Sequence, residues 1–272
     1  MKPLRSLVLA VALLTEGVSV ATAQDYDKGL EAAQSGDFEA ALQEWRPLAE
    51  AGDADAQKDL GVMYFTGQGV PQDYDEAVKW YRRAAEQGNV AAQSNLAEMY
   101  YKGQGVPQDF DEAAKWLQLV AKDGSAPAQY NLGQMYEDGK GVPQSAAEAV
   151  VWYGLAAEQG NADAQSKLGF MYLNEIGVLQ DFAEAAKWLR WSAEQGNPSA
   201  QINLGVMHSY GDGVPQSNVL AHMWFDIAST NGHFEAIKLR DERAGLMNKA
   251  DISKAQQMAR ECMTSDYQSC SW

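Results

Sequence analysis

From Ala54 onward, apolar positions recur at helical spacing in two stretches separated by a glycine-rich loop. Ala56, Leu60, Met63 and Tyr64 fall on one face of a first helix, and Ala77, Trp80, Tyr81, Ala84 and Ala85 on one face of a second. The pattern repeats every 36 residues. Gln57, Gln93, Gln129, Gln165 and Gln201 keep that register, as do Leu60, Leu96, Leu132, Leu168 and Leu204. So do the methionines Met63, Met99, Met135, Met171 and Met207 and the tryptophans Trp80, Trp116, Trp152, Trp188 and Trp224. Five units of antiparallel helix pairs are predicted, at 54–89, 90–125, 126–161, 162–197 and 198–233. Small Ala56, Gly61 and Ala77 let backbones approach, while Leu60, Tyr64 and Trp80 fill the remaining space. A tryptophan repeated on every second helix reads as core.

The connecting loop is G-Q-G-V-P-Q-D from Gly67 to Asp73, and it returns at Gly103 to Asp109, Gly139 to Ser145 and Gly211 to Ser217. Each residue has a structural task. Gly67 and Gly69 allow backbone conformations that a β-carbon resists, and Pro71 holds Val70 extended. Asp73 is expected to cap the second helix and to form a capping box with Glu76, as Asp109 does with Glu112, Ser145 with Glu148 and Asp181 with Glu184. A carboxylate at that cap fills the donors a phosphate would use, and no G-K-[ST] follows, so the loop is not a phosphate cradle. Asp53 and Asn89 suit N-caps of first helices, and Gly88 a C-terminal cap. Unit four has Glu175 and Leu179 in place of the loop glycine and proline, which predicts a differently bent connector.

The assembled pattern, L-G-x-M-Y-x-x-G-x-G-V-P-Q-D-x-x-E-A-x-x-W-Y-x-x-A-A-E-Q-G-N, resembles the Sel-1-like repeat family, a relative of the tetratricopeptide repeats. The resemblance covers Ala54 to His233. It implies an all-α fold, a right-handed α-solenoid of stacked helix pairs, and a monomeric protein-binding scaffold or adaptor without a cofactor. Exported bacterial members are often linked to envelope assembly or to contact with host proteins. Residues 24–53 then read as an N-terminal half repeat. Residues 234–272 read as a C-terminal helical cap, with helices near Glu235 to Met247 and Asp251 to Met263.

Lys2 and Arg5, the apolar run Leu7 to Leu14 and the A-T-A ending at Ala23 predict a signal peptide over 1–23, with a retained anchor as the alternative. The expected location is periplasmic or secreted, without membrane insertion after cleavage. Without Lys2, Arg5 and Glu16 the 21 basic and 37 acidic residues become 19 and 36, a net charge of −17. That sign repels phosphate backbones and anionic headgroups, so nucleic acid is not an expected partner. The only cysteines, Cys262 and Cys270, suit one local disulfide in an exported chain; two free thiols or an intermolecular bridge are the alternatives.

Catalytic material is sparse. His208, His222 and His233 fall on different elements, and none lies in H-E-x-x-H or beside a serine or cysteine nucleophile. A β-lactamase-like hydrolase, known among cysteine-rich relatives, would need S-x-x-K, which Ser94 (S-N-L-A) and Ser253 (S-K-A-Q) fail to supply. No catalytic or metal-binding residue is assigned. First-helix positions that vary between units are free of stacking demands, and the resemblance places them on the concave surface. There Lys58, Val62, Phe65, Glu98, Tyr101, Tyr130, Phe170, Leu173 and Tyr210 are the candidate contacts for a protein or peptide partner. Lateral packing within the solenoid, or a ligand-free spacer, would account for the same side chains.

Overall fold

The computed structural model describes residues 26–267 and 270; the expected leader at 1–23 lies outside them. Among the described residues the chain forms helices and no strand. They are α1 (26–35), α2 (Phe38–Ala51), α3 (Ala54–Thr66), α4 (Tyr74–Glu86), α5 (Val90–Lys102), α6 (Phe110–Lys122) and α7 (Ala126–Asp138). There follow α8 (Ala146–Glu158), α9 (Ala162–Leu173), α10 (Phe182–Ala193), α11 (Pro198–Tyr210), α12 (Asn218–Thr230), α13 (Phe234–Ala244) and α14 (Lys249–Thr264). No described helix is long and apolar enough to cross a membrane. The chain divides into two compact units, one ending at Val120 and one starting at Ala121. Within the first, α3 packs on α2 and α4, and α4 on α5; within the second, successive helices from α7 to α13 are packed, and α14 lies on α12. Each unit is thus a piece of α-solenoid built from stacked helix pairs.

Local chemistry sets the helix ends. Asp53, Asn89, Ser125, Asn161 and Asn197 each accept a hydrogen bond from the third residue of a first helix. Gly67 and Gly69 have φ of 75° and 73°. A β-carbon on Gly69 would also lie 2.7 Å from the Phe38 carbonyl oxygen, so the loop glycine serves stacking on the preceding repeat. Only half of the expected capping box forms. Asp73 accepts from the Glu76 N–H at 3.0 Å, but its own N–H donates to Tyr64 O at 2.9 Å, and the Glu76 carboxylate pairs with Lys79 at 2.5 Å. The connector of unit four is not bent differently: Glu175 adopts φ 57° where the others have glycine, and the Ile176 N–H still bonds Met171 O at 3.0 Å.

The interior corrects the expectation for tryptophan. Trp80, Trp116 and Trp152 are only half-buried, whereas Trp188 and Trp224 are buried. The following residue fills the core instead: Tyr81, Leu117, Tyr153, Leu189 and Phe225 are all buried. Four of them occupy gaps left by glycine. A β-carbon on Gly61, Gly133, Gly169 or Gly205 would stand 2.5–2.7 Å from Tyr81, Tyr153, Leu189 or Phe225. Tryptophan sits one helical step round and is buried only in the last two repeats.

The register glutamines are buried polar ties. Gln165 Nε2 donates to Ala157 O at 3.0 Å on the preceding repeat, and its Oε1 accepts from Gln195 Nε2 at 2.8 Å. Gln57 and Gln201 make the same pair of bonds, with Asn231 serving Gln201. Beyond the last repeat, Cys262 and Cys270 are joined by a disulfide with Cα atoms 4.5 Å apart. Tyr267 between them hydrogen-bonds the Asn231 side chain.

Candidate partner-binding site

The variable first-helix positions behave differently in the two units. In the first, Lys58 is paired with Asp59 at 2.5 Å, and Asp59 also accepts from the Tyr26 hydroxyl at 2.7 Å. Val62 and Phe65 are half-buried. The Phe65 ring lies 5.3 Å from that of Tyr74, and Tyr101, 37% exposed, meets Phe110 edge-on at 5.1 Å. Both rings lean on the first residue of the second helix in their own repeat. Glu98 is exposed and paired with Lys102 one turn on.

In the second unit Tyr130 is half-buried against Tyr153, centroids 5.7 Å apart, and its hydroxyl accepts from Gln134. Tyr153 threads outward from the core and donates to Glu137 at 2.5 Å, while Lys167 binds both carboxylate oxygens of Glu137 at 3.0 Å. Burial first, and then the Glu137 bond, push the Tyr153 phenol far above its ordinary range. It stays protonated and holds Glu137 in place. Phe170 is 43% exposed and Tyr210 67%, with Arg243 over the Tyr210 ring at 5.8 Å; Leu173 is half-buried against the core. The nine candidates therefore form two sets: Lys58, Val62, Phe65, Glu98 and Tyr101 in the first unit, and Tyr130, Phe170, Leu173 and Tyr210 in the second.

These faces offer rings, hydroxyls and the ion pairs of Glu98 with Lys102 and of Glu137 with Lys167. His208 and His222 are buried in the second unit, and burial lowers the pKa of both. His208 Nδ1 lies 3.0 Å from Pro215 O. Among the described residues no group of three or more His, Cys, Asp or Glu is placed to hold a metal.

One apolar feature lies outside the sequence expectations. Val151 and Leu155 of α8 and Trp191 of α10, on second helices, are 54%, 40% and 42% exposed. The available signal was the lysine register: Lys79, Lys115 and Lys187 mark the solvent side of α4, α6 and α10, and Val151 stands in that position.

The family model for the Sel1 repeat matches residues 54–89, 90–125, 126–161, 162–197 and 198–233. No curated protein matches the chain. Among solved structures it is similar to c5321, a protective antigen present in uropathogenic Escherichia coli strains displaying an SLR fold, with 33% identity and a TM-score of 0.78 over 94% of this chain. The chain spans 57% of the length of that protein. It is also similar to a Sel1 repeat protein from Oxalobacter formigenes, with 29% identity and a TM-score of 0.74, covering 87% of this chain and 99% of that one. With matched repeats filling 54–233 and the helix pairs in the same places, the chain belongs to the Sel1 repeat family.

Proposed function

We propose that the protein is an exported adaptor without catalytic activity that holds a polypeptide partner on its first-helix face. Sel1 repeats generally form scaffolds for protein–protein interaction. The observation that carries the finer reading is the exposure of large rings at positions that stacking leaves free, Phe170 and Tyr210 above all. A single polypeptide segment can use such rings as anchors and the hydroxyls and amides beside them for hydrogen bonds. Export is supported by the leader-like residues 1–23, by the Cys262–Cys270 disulfide and by the similarity to a protective antigen. Intact mass from the native host should show a chain beginning at Gln24.

The binding test is a displayed library of random peptides selected against the intact chain. Enriched peptides should bind the Phe170→Ala and Tyr210→Ala variants about thirtyfold more weakly, the effect of losing an anchor worth about 2 kcal/mol. Thermal unfolding of both variants should match the parent. If no peptide is enriched, or if both variants bind as the parent does, the first-helix face is not the site.

A further inference from the structure

Two large apolar residues are exposed on the outer side of α8, against at most one on any other second helix. Its sequence, A-A-E-A-V-V-W-Y-G-L-A-A-E, contains no lysine or arginine. Val151 and Leu155 lie one turn apart on the exposed side, with half-buried Trp152 beside them. A β-carbon at Gly154 would meet nothing within 4 Å, so the helix backbone is open to close approach there. The strip continues onto α10, where the Trp191 ring meets Trp188 edge-on at 5.1 Å, and Trp188 shares a core with Tyr153 of α8. A helix apolar on its solvent side as well as its core side is ordinarily covered.

The same chain shows what fits such a surface. Met223 and Ile227 of α12 occupy the register positions of Val151 and Leu155, yet both are fully buried, as is Trp224. α13 follows α12 as a first helix of another repeat would, with Ala236 in the register of Ala200. The extra cover on α12 is α14, which has no counterpart in the repeats. α14 contributes Ala255, Ala259 and Cys262 to the core that holds Met223, Trp224 and Ile227. Spacings of four and three make those small residues one stripe of an amphipathic helix. The corresponding side chains in the first repeat are Lys79 and Arg83, which solvate the face.

We infer that the outer face of α8, continued by Trp191, docks an amphipathic α-helix of a partner chain whose small apolar stripe resembles that of α14. The charges set where its basic residues fall. Glu148 and Glu158, at the two ends of α8, are exposed, and Glu148 lacks the lysine three residues on that Glu76, Glu112 and Glu184 pair with. A docked helix with basic residues near its ends answers both carboxylates. This surface is distinct from the first-helix site, and neither depends on the other.

The probe is a fluorescein-labelled peptide of residues 249–264 with Cys262→Ala, which carries Lys249, Lys254 and Arg260. It is titrated into the intact, oxidised chain and followed by anisotropy. Saturable binding is expected. The double variant Val151→Lys/Leu155→Arg, which places the side chains of the first repeat there, should weaken it about tenfold or more by putting charged groups under the helix and giving Glu148 a lysine of its own. Because both positions are exposed, its circular dichroism and thermal midpoint should be unchanged. A peptide with Ala255→Lys and Ala259→Lys should not bind. No binding of the parent peptide overturns the inference. So does binding that the double variant leaves intact, which would mean exchange with the chain's own α14 on α12.

Discussion

Gly133→Ala separates two physical accounts of the register glycines by sign. Helix propensity alone predicts stabilisation by about 1 kcal/mol, since alanine is the better helix former. Packing predicts the opposite. A β-carbon there would lie 2.7 Å from two ring carbons of Tyr153, against about 3.5–4.0 Å for an ordinary contact. The ring cannot give way, because Tyr153 is fully buried, set against the tilted ring of Tyr130 and tied to Glu137. Overpacking of this kind costs about 1–3 kcal/mol, so after the propensity gain the variant should be less stable by about 1 kcal/mol. Tyr153→Leu alone should cost about 2–3 kcal/mol through the emptied volume and the lost hydrogen bond. Combined, the two should cost less than their sum by about 1–2 kcal/mol, because leucine vacates the space that the new methyl fills. Repeat two already uses that solution, with Ala97 and Leu117 in the same two positions. Urea unfolding of the four proteins, followed by circular dichroism, closes the cycle. A more stable Gly133→Ala, or effects that add within about 0.5 kcal/mol, would refute the account.

Gln165→Ala should lower stability in urea by about 2 kcal/mol: two hydrogen bonds are lost, but Ala157 O keeps the Gly160 N–H and Gln195 keeps Trp191 O, so neither partner is orphaned. Stability should also fall as pH drops below about 6.5, where the unfolded chain protonates His208 and His222 before the folded one does. His208→Tyr, the residue of the other repeats, should flatten that acid limb, and an unchanged pH profile would show that His208 does not couple to folding. Reduction of Cys262–Cys270, which closes a loop of separation 8, should cost about 2–3 kcal/mol and speed hydrogen exchange in α14 while leaving α8 and α9 as they were.

Helix pairs, loop glycines and first-helix caps were legible in the sequence because each rests on local chemistry restated at every repeat. The choice between Trp80 and Tyr81 was not. Adjacent aromatic residues differ by one helical step, and which one enters the core is decided by the gap at Gly61, on another helix. The connector of unit four keeps its course for a related reason. Its shape is held by the bonds of Ile176 to Met171 and Asp181 to Tyr172, which a glutamate with left-handed φ still permits. Variation between repeats located the first-helix candidates without revealing exposure. Phe65 and Tyr101 have ring partners in Tyr74 and Phe110, residues whose proximity depends on how the loop folds back. The strip on α8 is not legible in the repeats because its contrast with α12 depends on α14, which lies outside the period.

The glutamine ties join residues 8 or 30 apart, and the asparagine bonds from Asn89 to Asp55 and from Asn197 to Asp163 span 34. No bond of this recurring set reaches farther than one period. A duplication or deletion of 36 codons, cut between repeats, therefore leaves each such bond with both partners and each glycine opposite its ring. Gain or loss of one whole repeat is then a route to a foldable longer or shorter protein, and the reach of the surface becomes a trait that inheritance can adjust in whole steps.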